Sequence, residues 1–203
     1  MSARPLVLQL DIAGNPCRWI TFEDAAYYYA KDLVAWTPTE DGFTIHGGTS
    51  RLTCERSFMD LATIIAVRGE VSDKGLYRTP TLTNRALFRR DQNVCAYCGD
   101  EFGHDHLTRD HVTAQSRGGK DAWTNVVTSC GPCNRRKDDH DLDNINMKLL
   151  YVPYAPTRQE YLLLMNRNVL VDQMAFLKAK IPSTSHIHVP DFKEMIALRK
   201  LKG

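Results

Sequence analysis

Apolar and polar positions change rhythm several times over the first 67 residues. Leu6, Leu8, Leu10 and Ile12 alternate with Val7, Gln9 and Asp11, which predicts a strand with one face to bury. A turn at Gly14-Asn15-Pro16 leads into a short extended piece, Arg18-Trp19-Ile20. Thr21, with Asp24 three residues on, predicts a helix start, and Phe22, Ala25, Ala26, Tyr29, Ala30 and Leu33 then recur at helical spacing. Val34-Ala35-Trp36, Phe43-Thr44-Ile45 and Ile64-Ile65-Ala66-Val67 read as further strands. Residues 1–67 are therefore expected to form a small mixed α/β unit. The run Tyr27-Tyr28-Tyr29 offers rings that bases can stack on, but partly buried packing on an amphipathic helix is the simpler expectation.

From Arg68 to Thr83 the chain is polar and carries the turn formers Gly69, Gly75 and Pro80, the signature of a linker. A short helix is predicted from Asn84 to Arg90, with Arg85 and Arg89 one turn apart. Pro153 and Pro156 precede Thr157 and Glu160, a capping box that opens a helix. Leu170, Met174, Leu177 and Ile181 mark a second helix face, with the methionines as core filler, and Pro190 is expected to start a third helix. Residues 141–203 thus read as a helical region.

The chain has 203 residues, 43% of them hydrophobic and 25% charged, enough to bury a real core without disulfides. No apolar run nears the roughly 18 residues of a bilayer span. Met1-Ser2-Ala3-Arg4-Pro5 lacks the pattern of a signal peptide, so a cytoplasmic, reducing setting is expected. The formal net charge of +2 says little, yet residues 1–84 carry 8 basic and 10 acidic side chains, so the positive excess lies beyond them. Nucleic-acid binding is compatible with that gradient without following from it.

Cysteine placement decides more. Four of the six cysteines form two pairs, Cys95-Ala96-Tyr97-Cys98 and Cys130-Gly131-Pro132-Cys133, with 31 residues between them, while Cys17 and Cys54 stand alone. Two C-x-x-C knuckles can close a tetrahedral Zn²⁺ site, each offering two sulfurs from a tight turn. A redox dithiol needs only one such motif. A closed four-sulfur site has no open position for substrate, so this zinc is expected to be structural.

Between the knuckles lie Arg109-Asp110-His111, Gly118-Gly119 and Asn125-Val126-Val127, and Asn134 and Lys137 follow the last cysteine. In that order and spacing the chain resembles the HNH endonucleases, a nuclease superfamily built on a ββα-metal motif. The resemblance spans residues 84–140 and implies an α+β protein with a zinc-stabilised ββα-metal core. The Leu10-Asp11-Ile12-Ala13-Gly14 and Arg18-Trp19-Ile20 stretches are also similar to the leader of some bacterial HNH proteins.

The resemblance implies a DNA phosphodiesterase and assigns roles. His111 would be the general base that activates water, a task suited to an imidazole with an unperturbed pKa of about 6.5. Asp110 and Asn134 would ligate a catalytic Mg²⁺ or Mn²⁺ through hard oxygen donors. Asparagine at position 134 is similar to the variant in phage Holliday-junction resolvases. Asn125 would fix the loop that orients His111. Apart from the resemblance, Arg135, Arg136 and Lys137 follow Asn134 on the expected helix and, with Arg109, are candidates to grip the DNA backbone, a solvated helix face being the alternative. Successive strand residues point to opposite faces, so Asp110 and His111 can serve one phosphate only if the strand bends or twists.

Two rival readings stay open at this level. Asp110, His111 and Asn125 would merely make turn hydrogen bonds in a catalytically silent zinc module that binds nucleic acid or protein, or the cysteines would do thiol–disulfide chemistry. His104 and His106 read as solvated loop residues, His140 in Asp138-Asp139-His140 as a weak extra metal ligand, and His46, His186 and His188 have no chemical context.

Overall fold

The computed structural model describes residues 5–69, 79–165, 168–183, 185, 187 and 192–201. Gly75, His186, His188 and Pro190 lie outside the described residues. The chain divides into two compact units, residues 1–78 with 166–180 and residues 79–165 with 181–203. This division cuts across the C-terminal helical region expected from sequence, because residues 166–180 return to the first unit.

In the first unit four strands form a sheet in the order β2-β1-β6-β3: β1 (Val7–Leu10), β2 (Pro16–Ile20), β3 (Val34–Trp36) and β6 (Ile64–Val67). β1 runs parallel to β6 and antiparallel to β2, and β3 closes the other edge antiparallel to β6. The alternation in β1 predicts one buried face, yet all four of its residues are buried. The reason is position: β1 lies inside the sheet, and its one polar side chain, Gln9, accepts from Arg18 Nε at 2.8 Å. Ile12 falls past the strand end and is exposed. Helix α1 (Phe22–Ala30) starts at the expected cap, where Thr21 and Asp24 each accept from the other's backbone N–H. Tyr28 and Tyr29 pack on the core formed by Val7, Ile20, Ala25, Leu61, Ile65 and Val67, while Tyr27 stays exposed.

A second sheet in this unit pairs β4 (Gly42–Thr49) with β5 (Arg56–Ala62). The Phe43–Ile45 piece belongs to the longer β4, and β5 had no clear alternation to announce it. Helix α5 (Val171–Lys178) is tied to the unit by buried Gln173, which donates to the carbonyls of Leu6 (2.8 Å) and Thr63 (2.9 Å), and by Asp172, which accepts from Thr63. Those polar anchors hold residues 168–180 to the N-terminal sheet.

The second unit is organised on helix α2 (Asn84–Arg90), strands β7 (Leu107–His111) and β8 (Val126–Cys130), and helix α3 (Gly131–Lys137). α2 occupies its predicted span, capped by Thr83. β7 and β8 pair antiparallel, Leu107 opposite Cys130 through His111 opposite Val126, and α3 follows directly, which gives ββα. The fold class is α+β. The expected distortion between Asp110 and His111 does not interrupt the ladder, and the chain bends only at Val112–Thr113. One core gathers Ala86, Leu87, Phe88, Leu107, Trp123 and Val126, and another gathers Val94, Ala96, Val127, Tyr151, Phe192 and Ile196. The remaining helices are α4 (Arg158–Met165), capped by Thr157, and α6 (Phe192–Leu201), which supplies Phe192 and Ile196. Among the described residues no helix is long and apolar enough to cross a membrane.

Charge also lies inside this unit. Arg90 and Asp91, both fully buried, pair at 2.7 Å. Arg90 further donates to the carbonyls of Trp123, Tyr154 and Val126, while Asp91 accepts from the Thr128 N–H and hydroxyl. A buried ion pair persists only when its remaining donors and acceptors are met. Here they tie the end of α2 to β8.

Candidate active site

The first knuckle is a tight turn in which Cys95 N–H bonds the Asp100 carbonyl and Gly99, at φ +73, bonds back to Cys95. Ala96 N–H bonds the Thr128 carbonyl and so docks this turn on β8. The second knuckle needs no loop of its own: Cys130 ends β8 and caps α3, and Cys133 lies in the first turn of α3, with Pro132 beside it. All four thiol sulfurs lie within 4.8 Å of one another, with Cys98 Sγ 4.0 Å from Cys130 Sγ, and all are free of disulfides. Tetrahedral zinc at about 2.3 Å from each sulfur needs sulfurs about 3.8 Å apart. The donor set fits. Burial pushes the Cys133 thiol up to about 12. At Cys95 burial works the same way, but N–H groups of Cys98, Cys130 and Tyr97 outweigh it and lower that thiol's pKa.

Strand β7 presents two different rows. Thr108 and Asp110 face α3: Asn134 Nδ2 donates to Thr108 Oγ1 at 3.0 Å, and Lys137 Nζ lies 3.4 Å from Asp110 Oδ1. Tyr97, from within the first knuckle, donates its hydroxyl to Asp110. Burial raises the Asp110 pKa, against the Tyr97 hydrogen bond and the Lys137 charge. Lys137 is fully buried and also donates to the His111 carbonyl at 2.7 Å. That corrects its expected role: an ammonium sealed beneath the hairpin has no surface to offer a DNA phosphate, and it serves instead to hold Asp110 and the end of β7. Arg135 and Arg136 are exposed.

Leu107, Arg109 and His111 form the other row. His111 Nε2 lies 2.9 Å from Asp121 Oδ1. Arg109 Nη1 donates to both Asp121 oxygens, at 2.9 and 2.7 Å, and its Nε donates to Asn84 Oδ1 at 2.9 Å. Arg109 is thereby engaged within the protein. Asp121 and Tyr97 contact this site without any sequence signal that points to them. Asp121 sits in a loop where no periodicity marks it, and Tyr97 is hidden as the x of a C-x-x-C.

The connection between β7 and β8 is closed by Asn125. Its Oδ1 accepts from Thr113 N–H at 2.9 Å, and its Nδ2 donates to the carbonyls of Thr113 and Lys120. The Gly-Gly pair has a steric cause. Gly118 sits at φ +87, and a Cβ on Gly119 would lie 1.8 Å from the Thr113 carbonyl oxygen. His104 packs its ring edge-on to Phe88. Asp138, Asp139 and His140 cluster on the surface, all exposed.

The geometry supports two kinds of chemistry, a sulfur cage for a structural metal and a polar strand end carrying a carboxylate, an amide and an imidazole. Residues 95–150 match the family model described as HNH endonuclease. The resemblance carried by the motifs is thereby borne out over this segment. Comparison with curated proteins finds no match. Among solved structures, 63% of this chain aligns with 14% of the Type II-C Cas9 enzyme from Actinomyces naeslundii, at 18% identity and a TM-score of 0.30.

Proposed function

We propose that this protein is an HNH-type endonuclease that hydrolyses DNA phosphodiester bonds, with His111 as general base, a structural zinc in the four-cysteine cage and a separate divalent ion at Asp110 and Asn134. The observation that carries the reading is the match of residues 95–150 to the HNH endonuclease family on a segment folded as ββα. Asp110 supplies a carboxylate on the α3 side of β7 and Asn134 an amide oxygen, a donor set that fits Mg²⁺ or Mn²⁺. An ion bound there would stabilise charge on the phosphoryl and leaving oxygens. Tyr97 and Lys137 hold Asp110 in place from two sides. His111 stands at the last ladder position, next to the bend at Val112, and because it faces away from Asp110 one phosphate would have to reach both across this strand end. Arg135 and Arg136 are exposed on α3 and suit contacts with the DNA backbone.

Cleavage of supercoiled plasmid with Mg²⁺ or Mn²⁺, and its loss with EDTA, tests the reading. His111→Ala is expected to lower the rate by on the order of 10² to 10⁴, the usual contribution of a positioned base, with DNA affinity unchanged. Asp110→Ala is expected to abolish cleavage while zinc stays at one per chain. No cleavage by the wild type across supercoiled, linear, branched and single-stranded DNA would favour the silent zinc module instead.

A further inference from the structure

We infer that Asp121 is the positioning residue of the general base: it holds His111 with the proton on Nε2 and leaves Nδ1 to take the proton from water. The inference rests on the nuclease reading above and adds to it a residue and a tautomer that the motif does not contain.

His111 Nε2 lies 2.9 Å from Asp121 Oδ1. A neutral imidazole nitrogen can donate or accept, whereas an ionised carboxylate only accepts. Asp121 is kept ionised because the Arg109 hydrogen bond holds its carboxyl below the usual range, against the opposing effect of burial. The shared proton therefore belongs to His111 Nε2. With that nitrogen committed, Nδ1 is the ring position with a lone pair for the nucleophile.

The carboxylate is itself fixed. Arg109 grips both Asp121 oxygens and is anchored on Asn84 at the first residue of α2. Arg109 and His111 lie two apart on β7 and face the same side, so one carboxylate can serve both. Lys137 fixes the backbone of His111 from the other face. Nearly half of the Asp121 side chain is exposed, at 46%, so packing does not explain its placement. The charged groups around the ring are Asp121 and Arg109 on its own side and Asp110 and Lys137 across the strand.

Two measurements on the full-length, zinc-loaded protein test this. ¹⁵N NMR of the imidazoles is expected to show His111 protonated at Nε2 in the wild type and a mixture of tautomers in Asp121→Ala. In plasmid cleavage, Asp121→Ala is expected to lower kcat by about 10²-fold, the cost of a small misplacement of a reacting group, with KM little changed. Asp121→Asn retains an acceptor oxygen and should fall between the two. In a His111→Ala background, Asp121→Ala should cost nothing further, since both act through one ring. An unchanged tautomer in Asp121→Ala, or an additive loss in the double variant, would overturn the inference. Absence of cleavage by the wild type would instead sink the nuclease reading, and the NMR result would still decide whether Asp121 sets the tautomer.

Discussion

The hairpin β4–β5 brings eight and seven residues to its ladder, whereas β7–β8 brings five and five. By length the first should be the sturdier. Its outward side is bare, however: Phe58 is 69% exposed, and Leu52 at the tip is 97% exposed. Every residue of β8 is buried. α3 contacts the Thr108 and Asp110 side of β7, and α2 contacts the Leu107 and Arg109 side. The cysteine cage grips one end, Arg90 and Asp91 hold the middle, and Asn125 closes the connection. An isolated two-stranded hairpin is marginal in water. The shorter hairpin is therefore made rigid by what surrounds it, which on the proposed nuclease reading would hold its side chains within fractions of an ångström.

Removing the metal should break the contrast most severely. Structural zinc binding contributes directly to folding, so a strong chelator, or Cys95→Ser, should abolish amide-exchange protection in β7–β8 and leave β4–β5 unchanged. Cys54→Ser, at an exposed thiol, is the control that should do nothing. Elemental analysis that finds no zinc in folded protein would remove the basis of this expectation.

Next in size is Arg90→Ala. It leaves Asp91 charged, buried and without its partner, a change that costs about 3–5 kcal/mol. Urea titration should show that loss, and a value below about 1 kcal/mol, the worth of an exposed pair, would mean that water reaches Asp91.

Gly119→Ala should cost less overall and act locally. The new Cβ meets backbone, the Thr113 carbonyl oxygen, which cannot swing aside. A loss of about 1–3 kcal/mol is expected from the strain, with a fall in cleavage because the loop on Asn125 must open. Thermal melting and the plasmid assay read the two effects separately.

Phe58→Ser marks the other end of the scale. On an uncovered ribbon face it should change stability by no more than about 0.5 kcal/mol. A larger loss on chemical denaturation would show that β4–β5 is covered in solution and that the contrast between the hairpins is weaker than described.

Local features were legible in the chain's own residues. Two C-x-x-C knuckles are recognisable because two ligands three residues apart can reach one ion from a single turn. The α2 span, the Thr21 cap and the Thr157 cap follow from side chains bonding their own backbone a turn away. The order Asp-His, Gly-Gly, Asn, Asn around those knuckles was enough to point to the HNH module. The pairing of polar groups across the chain came from long-range packing. Lys137 reads as one more cation on a basic helix, yet lies buried against Asp110 and the His111 carbonyl, 26 residues away in sequence. Arg90 and Asp91 are adjacent charged residues that no local pattern marks as buried, but their partners at Trp123, Val126, Thr128 and Tyr154 make them core. Asp121 acquires meaning only where Arg109 and His111 converge on it. Periodicity reports burial of apolar faces. Whether a charged side chain is solvated or sealed depends on the donors and acceptors that distant segments bring to it, and a one-dimensional pattern does not contain that information.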